Sequence, residues 1–156
     1  MIRPGTPQDA RFLRDMLRHA YYWRPPEELE SGVHAMNYVE NWGRPGDAAV
    51  IALDSGFPVG AAWYRLFKEN RRGYGFVDEA TPELSIAVVP SRRGHGIGGE
   101  LMSALLDHAR HESYKTISLS VAKDSPAVGL YERYGFAKLD ERDGAVTMRA
   151  ELSDAG

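Results

Sequence analysis

The chain contains no cysteine. That removes disulfides, thiolate metal ligands and a cysteine nucleophile, and it suits a reducing, cytoplasmic setting. No apolar run approaches membrane-spanning length, and Met1-Ile2-Arg3-Pro4 leads into no apolar leader segment, so no membrane partner is expected. Positive charge is not in surplus either. Nineteen Lys and Arg stand against 22 Asp and Glu, a net −3, so no basic field argues for nucleic acid as a partner. The histidines His19, His34, His95, His108 and His111 make no metal set. His108 and His111 lie three apart without the carboxylate pattern of a zinc helix, so no metal is expected. Internal repeats and low-complexity segments are lacking too. What remains is an ordinary globular composition, 43% hydrophobic and 26% charged, in 156 residues. This is enough for one domain with a real core, expected to span residues 1–156.

Against that background one stretch stands out: Arg92-Arg93-Gly94-His95-Gly96-Ile97-Gly98-Gly99. It falls where an apolar strand pattern gives way to a helical one. Glycines admit close approach of a ligand to the backbone and φ values that other residues avoid. A helix's first turn adds unpaired N–H groups and the positive end of the macrodipole. Together they form an anion cradle whose natural guest is a phosphate or pyrophosphate. A plain surface turn would account for one or two glycines, not four beside two arginines. Gly94, Gly96 and Gly99 also spell the dinucleotide fingerprint G-x-G-x-x-G. That reading wants an acidic residue at the end of the next strand. The next strand pattern, Thr116 to Val121, ends in serine and valine, with Asp124 lying beyond it. A P-loop is disfavoured because the glycine run does not end in Gly-Lys-Ser/Thr.

The rest of the chain reads as alternating elements. Ile2-Arg3-Pro4 suggests an edge strand. Thr6, with Pro7 and Asp9 behind it, suggests a helix cap before an apolar face of Phe12, Leu13, Met16, Leu17 and Ala20. After Tyr21-Tyr22-Trp23-Arg24-Pro25-Pro26, a second helical stretch carries Leu29, Val33, Met36, Val39 and Trp42 and stops at Gly43-Arg44-Pro45-Gly46. Ala49–Leu53 and Val59–Phe67 read as a hairpin around Asp54-Ser55-Gly56. A polar loop from Lys68 to Pro82 precedes a central strand, Glu83–Val89. The helix behind the glycine run places Ile97, Leu101, Met102, Leu105, Leu106 and Ala109 on one face. Ile117, Leu119 and Val121 alternate in a strand. A short helix opens at Ser125-Pro126 and stops at Gly135, and Val146, Met148 and Ala150 alternate in a last strand. The expected fold is α/β (α+β), a mixed central sheet with helices on both faces, in the order β-α-α-β-β-β-α-β-α-β.

Arg93-Gly94-His95-Gly96-Ile97-Gly98 resembles the R/Q-x-x-G-x-G/A signature of the GNAT superfamily of acyl-CoA-dependent N-acetyltransferases. Ala127-Val128-Gly129-Leu130-Tyr131-Glu132-Arg133-Tyr134-Gly135-Phe136 is similar to that family's A-x-x-L-Y-E-x-x-G-F segment. Two motifs in the right order, one helix and one strand apart, are specific, and the resemblance covers about residues 48–150. It implies acetyl-CoA as acyl donor and the amine of a small molecule, amino acid or peptide as acceptor, attacking directly in a ternary complex.

Residue roles follow from the resemblance. Ala87, Val88 and Val89 would bond the pantetheine arm through their backbone, one N–H facing the thioester oxygen. Arg93, Gly94, His95, Gly96, Ile97, Gly98 and Gly99 would take the pyrophosphate. Tyr131 would be the general acid that protonates the departing thiolate. Asp124 stands where the family often has an asparagine on the pantetheine; an aspartate accepts but cannot donate, and it could instead cap the short helix with Ser125. Glu83 is the expected general base, with Asp78 and Glu79 as rivals, or none for an acceptor of low pKa. The aromatics of Tyr21-Tyr22-Trp23 and of Tyr74 and Phe76 could pack the core, serve a homodimer or border the acceptor. A non-catalytic acyl-CoA-binding module and a nucleotide-binding regulatory domain are the competing functions.

Overall fold

The computed structural model describes residues 1–20, 35–142 and 144–152. Its centre is a seven-stranded mixed sheet in the order β1-β2-β3-β4-β5-β7-β6. The strands are β1 (Ile2–Pro4), β2 (Ala48–Asp54), β3 (Phe57–Arg65), β4 (Glu83–Val88), β5 (Thr116–Ala122), β6 (Phe136–Arg142) and β7 (Ala145–Glu151). The helices are α1 (Ala10–Ala20), α2 (Ile97–His111) and α3 (Ala127–Arg133). Every neighbouring pair is antiparallel except β4 and β5.

Helices cover both faces, as the apolar periods require. Leu13, Met16 and Leu17 of α1 pack with Ile51, Ala61, Trp63 and Ala87 on one face. On the other, Leu101, Met102, Leu105, Leu106 and Ala109 of α2 pack with Leu84, Ile117, Leu119 and Val121, and α3 adds Tyr131. Thr6 does cap, but the turn it opens is a 3-10 segment, Pro7–Asp9, that feeds α1. Thr6 Oγ1 accepts from Gln8 N–H (3.3 Å), and Asp9 Oδ2 accepts from Thr6 N–H (2.8 Å) while pairing with Arg3. The hairpin turn has positive φ at Ser55 (52°) and Gly56 (84°), the two-residue geometry that matches strand twist.

Two expectations change. The single final strand is a hairpin, because β6 precedes β7. β6 is an edge strand with only Phe136 buried and charged residues along both exposed faces, so it carries no apolar alternation to betray it. The expected second helix lies outside the described residues up to position 34, as do Tyr21, Tyr22 and Trp23, and its described part, 35–42, is not an α-helix. Its described end is a 3-10 turn, Ala35–Tyr38.

Candidate active site

The site follows from one topological fact. β4 and β5, the parallel pair, share a single register position, Glu83 opposite Ser118. Ser118 N–H donates to Pro82 O at 3.0 Å, and beyond that point the strands part. The gap is a cleft of about 670 Å³, lined by Leu84–Val88 of β4 and Leu119–Ala122 of β5 and closed at its far end by the glycine loop and α3.

Strand phase decides which backbone groups face this gap. Pro82 O points to β5, while Val89 N–H donates to Val59 O (2.9 Å) on the β3 side. Backbone direction alternates along a strand. Ile86 and Val88 therefore turn their N–H and C=O groups toward the cleft, and Ala87 and Val89 turn theirs toward β3. Of the three residues expected to bond the pantetheine, Val88 turns its backbone groups toward the cleft. Ala87 lines the cleft by its side of the strand, and Val89 is not among the lining residues. Val89 also has its C=O engaged by Arg92 N–H (2.9 Å). Ile86 shares the orientation of Val88 and was not singled out in the sequence, because phase is set by pairing with β3 and cannot be read from β4 alone.

At the cleft's far end Gly94 (φ 86°) and Gly96 (φ 81°) sit in the left-handed region, and Gly96 is the N-cap of α2. A Cβ on either would meet no protein atom within 4 Å, so both present bare backbone to open space. The first N–H groups of α2 lack intrahelical acceptors, as at any helix start. Arg93, Gly94, Gly96, Ile97, Gly98 and Gly99 all line the cleft; His95 does not. Arg93 Nε donates back to Val88 O (3.1 Å), tying the loop to the strand end, and Arg92 pairs with Asp54 on β2. The donor set, the positive helix end and the vacant glycine surfaces suit a pyrophosphate.

α3 forms the opposite wall. Its Tyr131 lines the cleft, is 8% exposed and packs edge-on to Phe136. Burial pushes its phenol up to about 12, so it is a neutral donor at any physiological pH. Tyr134 donates to Gly99 O (3.0 Å) and locks α3 onto the glycine loop. Asp124 lines the cleft, whereas the capping contact at α3 comes from Ser125, whose Oγ accepts from Ala127 N–H (3.1 Å).

Glu83 lies elsewhere. It is 1% exposed and outside the cleft lining. Its Oε2 accepts from the Tyr38 hydroxyl and from Gly75 N–H (3.0 Å). Its rivals serve the exposed loop: Asp78 Oδ1 accepts from Ala80 N–H and Glu79 Oε2 from Glu69 N–H, both at 2.9 Å. Tyr74 stacks on Tyr38 at 5.9 Å and Phe76 packs against the α1-side core, so this aromatic pair is packing. His19 and Ala20, at the end of α1, do line the cleft, and no sequence signal had singled them out for it. Among the described residues, no group of three or more His, Asp or Glu side chains could hold a metal, and no helix is long and apolar enough to cross a membrane.

Residues 11–136 match the model of the Acetyltransferase (GNAT) family. The chain belongs to this family. It is 31% identical over 88 residues to a mycothiol acetyltransferase of Brachybacterium faecium, covering 56% of this chain and 25% of that protein. It is 34% identical over 80 residues to a [ribosomal protein bS18]-alanine N-acetyltransferase of Haemophilus influenzae, covering 47% of this chain and 54% of that one. The matches thus span a quarter and about half of these relatives' lengths. A GNAT superfamily phosphinothricin acetyltransferase of Sinorhizobium meliloti, solved with AcCoA, superposes with a TM-score of 0.69 at 24% identity over 97% of this chain and 88% of the other. That likeness is one of fold.

Proposed function

We propose that this GNAT protein transfers an acetyl group from acetyl-CoA to a primary amine of a small molecule, amino acid or peptide, by direct attack in a ternary complex. The observation that carries the reading is the cleft between the parted β4 and β5, with an anion cradle at one end and a buried neutral phenol on its wall. Ile86 and Val88 offer backbone groups to the pantetheine, and one N–H between them polarises the thioester carbonyl. Holding donor and amine side by side supplies much of the rate by proximity.

Tyr131 protonates the leaving sulfur in this proposal. Transfer from a phenol near 12 to a thiolate whose acid lies near about 8.5 is uphill, so the proton moves in concert with C–S cleavage. That places Tyr131 at the lower end of general-acid contributions, and Tyr131→Phe is expected to lower kcat about 10- to 100-fold with CoA affinity unchanged. Because the phenol stays neutral up to alkaline pH, the loss should be constant from pH 7 to 10. The name of the Haemophilus influenzae relative makes a peptide with a free N-terminal amine one arm of the acceptor screen. The cytoplasm, a source of acetyl-CoA, is the proposed setting.

The test is binding followed by turnover. Acetyl-CoA should raise the melting temperature, as a ligand selective for the native state must, where ATP and NAD do not. An amine panel is then screened for CoA thiol release, with no background from a cysteine-free protein. A shift with NAD or ATP but none with acetyl-CoA would refute the acetyltransferase reading.

A further inference from the structure

We propose that His19 receives the proton of the attacking amine, and that Glu83 is a positioning residue behind the site. The inference rests on the acetyl-transfer reading above. Glu83 is enclosed by its own partners. Oε2 accepts from Tyr38 and Gly75, and the Tyr38 hydroxyl also accepts from Tyr74 N–H at 2.6 Å. A Cβ on Gly73 would lie 2.5 Å from Glu83 Oε1, and one on Gly75 would lie 2.7 Å from the backbone of Leu119. The loop through Gly73–Phe76 thus covers the carboxylate and stands between it and solvent. Ser118 Oγ, from the strand opposite, donates to Gly75 O at 2.8 Å. Glu83 and Ser118 together pin the loop at the point where β4 and β5 diverge, and this fixes where the cleft begins.

His19 has the opposite setting. It sits half-buried in the last turn of α1 and lines the cleft with Ala20, Ser85, Ala87 and Ser120. Ala87 belongs to the α1-side core, while Leu84, Ile86 and Val88 belong to the α2 side. His19 therefore lines the gap from the sheet face opposite the glycine loop's helix and Tyr131. A donor held by the cradle would keep its thioester between the two groups. An imidazole ring nitrogen can take a proton from an ammonium and pass it to water.

Among the described residues, the charged and titratable neighbours are consistent with that job. On its own helix Asp15 and Arg18 are exposed. β4 brings only the enclosed Glu83, β3 only Arg65, bound to Asp47, and the Ala35–Tyr38 turn brings Tyr38. The cleft itself carries Asp124, Tyr131, Arg92, Arg93 and Arg133. In the reaction, His19 first passes the ammonium's extra proton to water, and the neutral amine nitrogen then bonds to the acetyl carbon as the C–S bond breaks. The proton shed by nitrogen goes to a His19 ring nitrogen, and the sulfur takes one from Tyr131. Exchange with solvent restores both groups, leaving an acetamide and free CoA thiol.

The experiment has two readouts. First, the His19 Cε1–H signal, identified by its loss in His19→Gln, is followed by NMR as acetyl-CoA is added; it should shift at saturation. Second, pH profiles of kcat/KM are taken with the fastest acceptor from the amine panel. His19→Gln should lower kcat/KM about 10- to 100-fold at pH 7, leave acetyl-CoA affinity unchanged and remove the rising acid limb of the profile. The deficit should shrink as pH approaches the amine's own pKa. Glu83→Gln should keep that limb and cost less than about fivefold. A His19 signal unmoved by saturating acetyl-CoA would overturn the proposal. So would a His19→Gln enzyme with the wild-type rate and limb, or a limb lost in Glu83→Gln and kept in His19→Gln. Failure of acetyl-CoA to bind at all would instead overturn the acetyl-transfer reading.

Discussion

The cleft has two halves built on different principles. The donor half is local and made of backbone: a strand end, a loop with two positive-φ glycines and a helix start, all within residues 84–99. The half proposed for the acceptor rests on a scaffold of side chains behind the lining, brought together from far apart in sequence. Arg65 is held by Asp47 18 positions away, Glu83 by Tyr38 45 positions away, and Ser118 reaches Gly75 across 43. In the proposed function, a backbone cradle would bind the part of the donor common to every acceptor. A side-chain scaffold can be rebuilt for each acceptor without disturbing it. Variants in one half should therefore spare the other.

The largest effect is expected at Arg65. Its guanidinium is fully buried, bonds both Asp47 oxygens, donates to Asn37 O (2.9 Å) and Glu40 O (2.7 Å), and lies 5.3 Å over the Trp42 ring. It is the peg on which the segment leading to β2 hangs. Arg65→Met strands a buried carboxylate and two carbonyls, so urea unfolding should show a loss of about 3–5 kcal/mol. A loss below about 1 kcal/mol would mean that the segment is held by its aromatic contacts instead.

Next is Gly75→Ala. The new Cβ would meet backbone, Leu119 C and O at 2.7 Å and Ser120 N at 2.9 Å, which cannot swing away. The loop must shift, at about 1–3 kcal/mol. If the halves are separable, kcat/KM for the amine falls while titration calorimetry shows unchanged CoA affinity. Gly98→Val is its mirror. Gly98 is helical, and a Cβ there makes only an ordinary 3.7 Å contact with Leu130. Stability should stay within about 0.5 kcal/mol, because valine is no worse than glycine in a helix. CoA should bind about tenfold more weakly, since the branched side chain stands where the pyrophosphate must approach. Wild-type CoA affinity would remove this glycine from the cradle.

The same contrast explains what the sequence could reveal. The donor half announces itself because its chemistry is local. Glycines 94–99 and the segment from Ala127 to Phe136 are contiguous strings, and apolar periods located α1, α2, β4 and β5 on either side. The acceptor half gave no such string. Glu83 is expected as a base because it opens the central strand where relatives of the family keep a glutamate. Only the fold shows Tyr38 and Gly75 closing over it, and only the fold carries the end of α1, hence His19, to the cleft. Ile86 escaped for a related reason: facing β5 rather than β3 is a matter of parity, fixed by the Val89 to Val59 bond. β6 escaped because a two-sided exposed edge strand has no apolar face to advertise.

The smallest effect should come from the ion pair at the rim of the donor half. Arg92 Nε meets Asp54 Oδ2 at 2.7 Å, with both side chains 44% exposed. Such a pair contributes roughly 0–1 kcal/mol, so Asp54→Asn should leave the unfolding midpoint almost unchanged. Its consequence lies in binding. Arg92 lines the cleft, and Asp54 both holds it back and sets a negative charge near the anion cradle. Removing that charge frees the guanidinium for a phosphate. CoA affinity at low ionic strength should rise by about two- to threefold, and the gain should fade toward 0.5 M salt as screening shortens the reach of both charges. A gain that survives high salt would mean that Arg92 contacts the phosphate directly. A drop in affinity would show that the ion pair positions the loop, as a second long-range side-chain contact beside that of Tyr134 with Gly99.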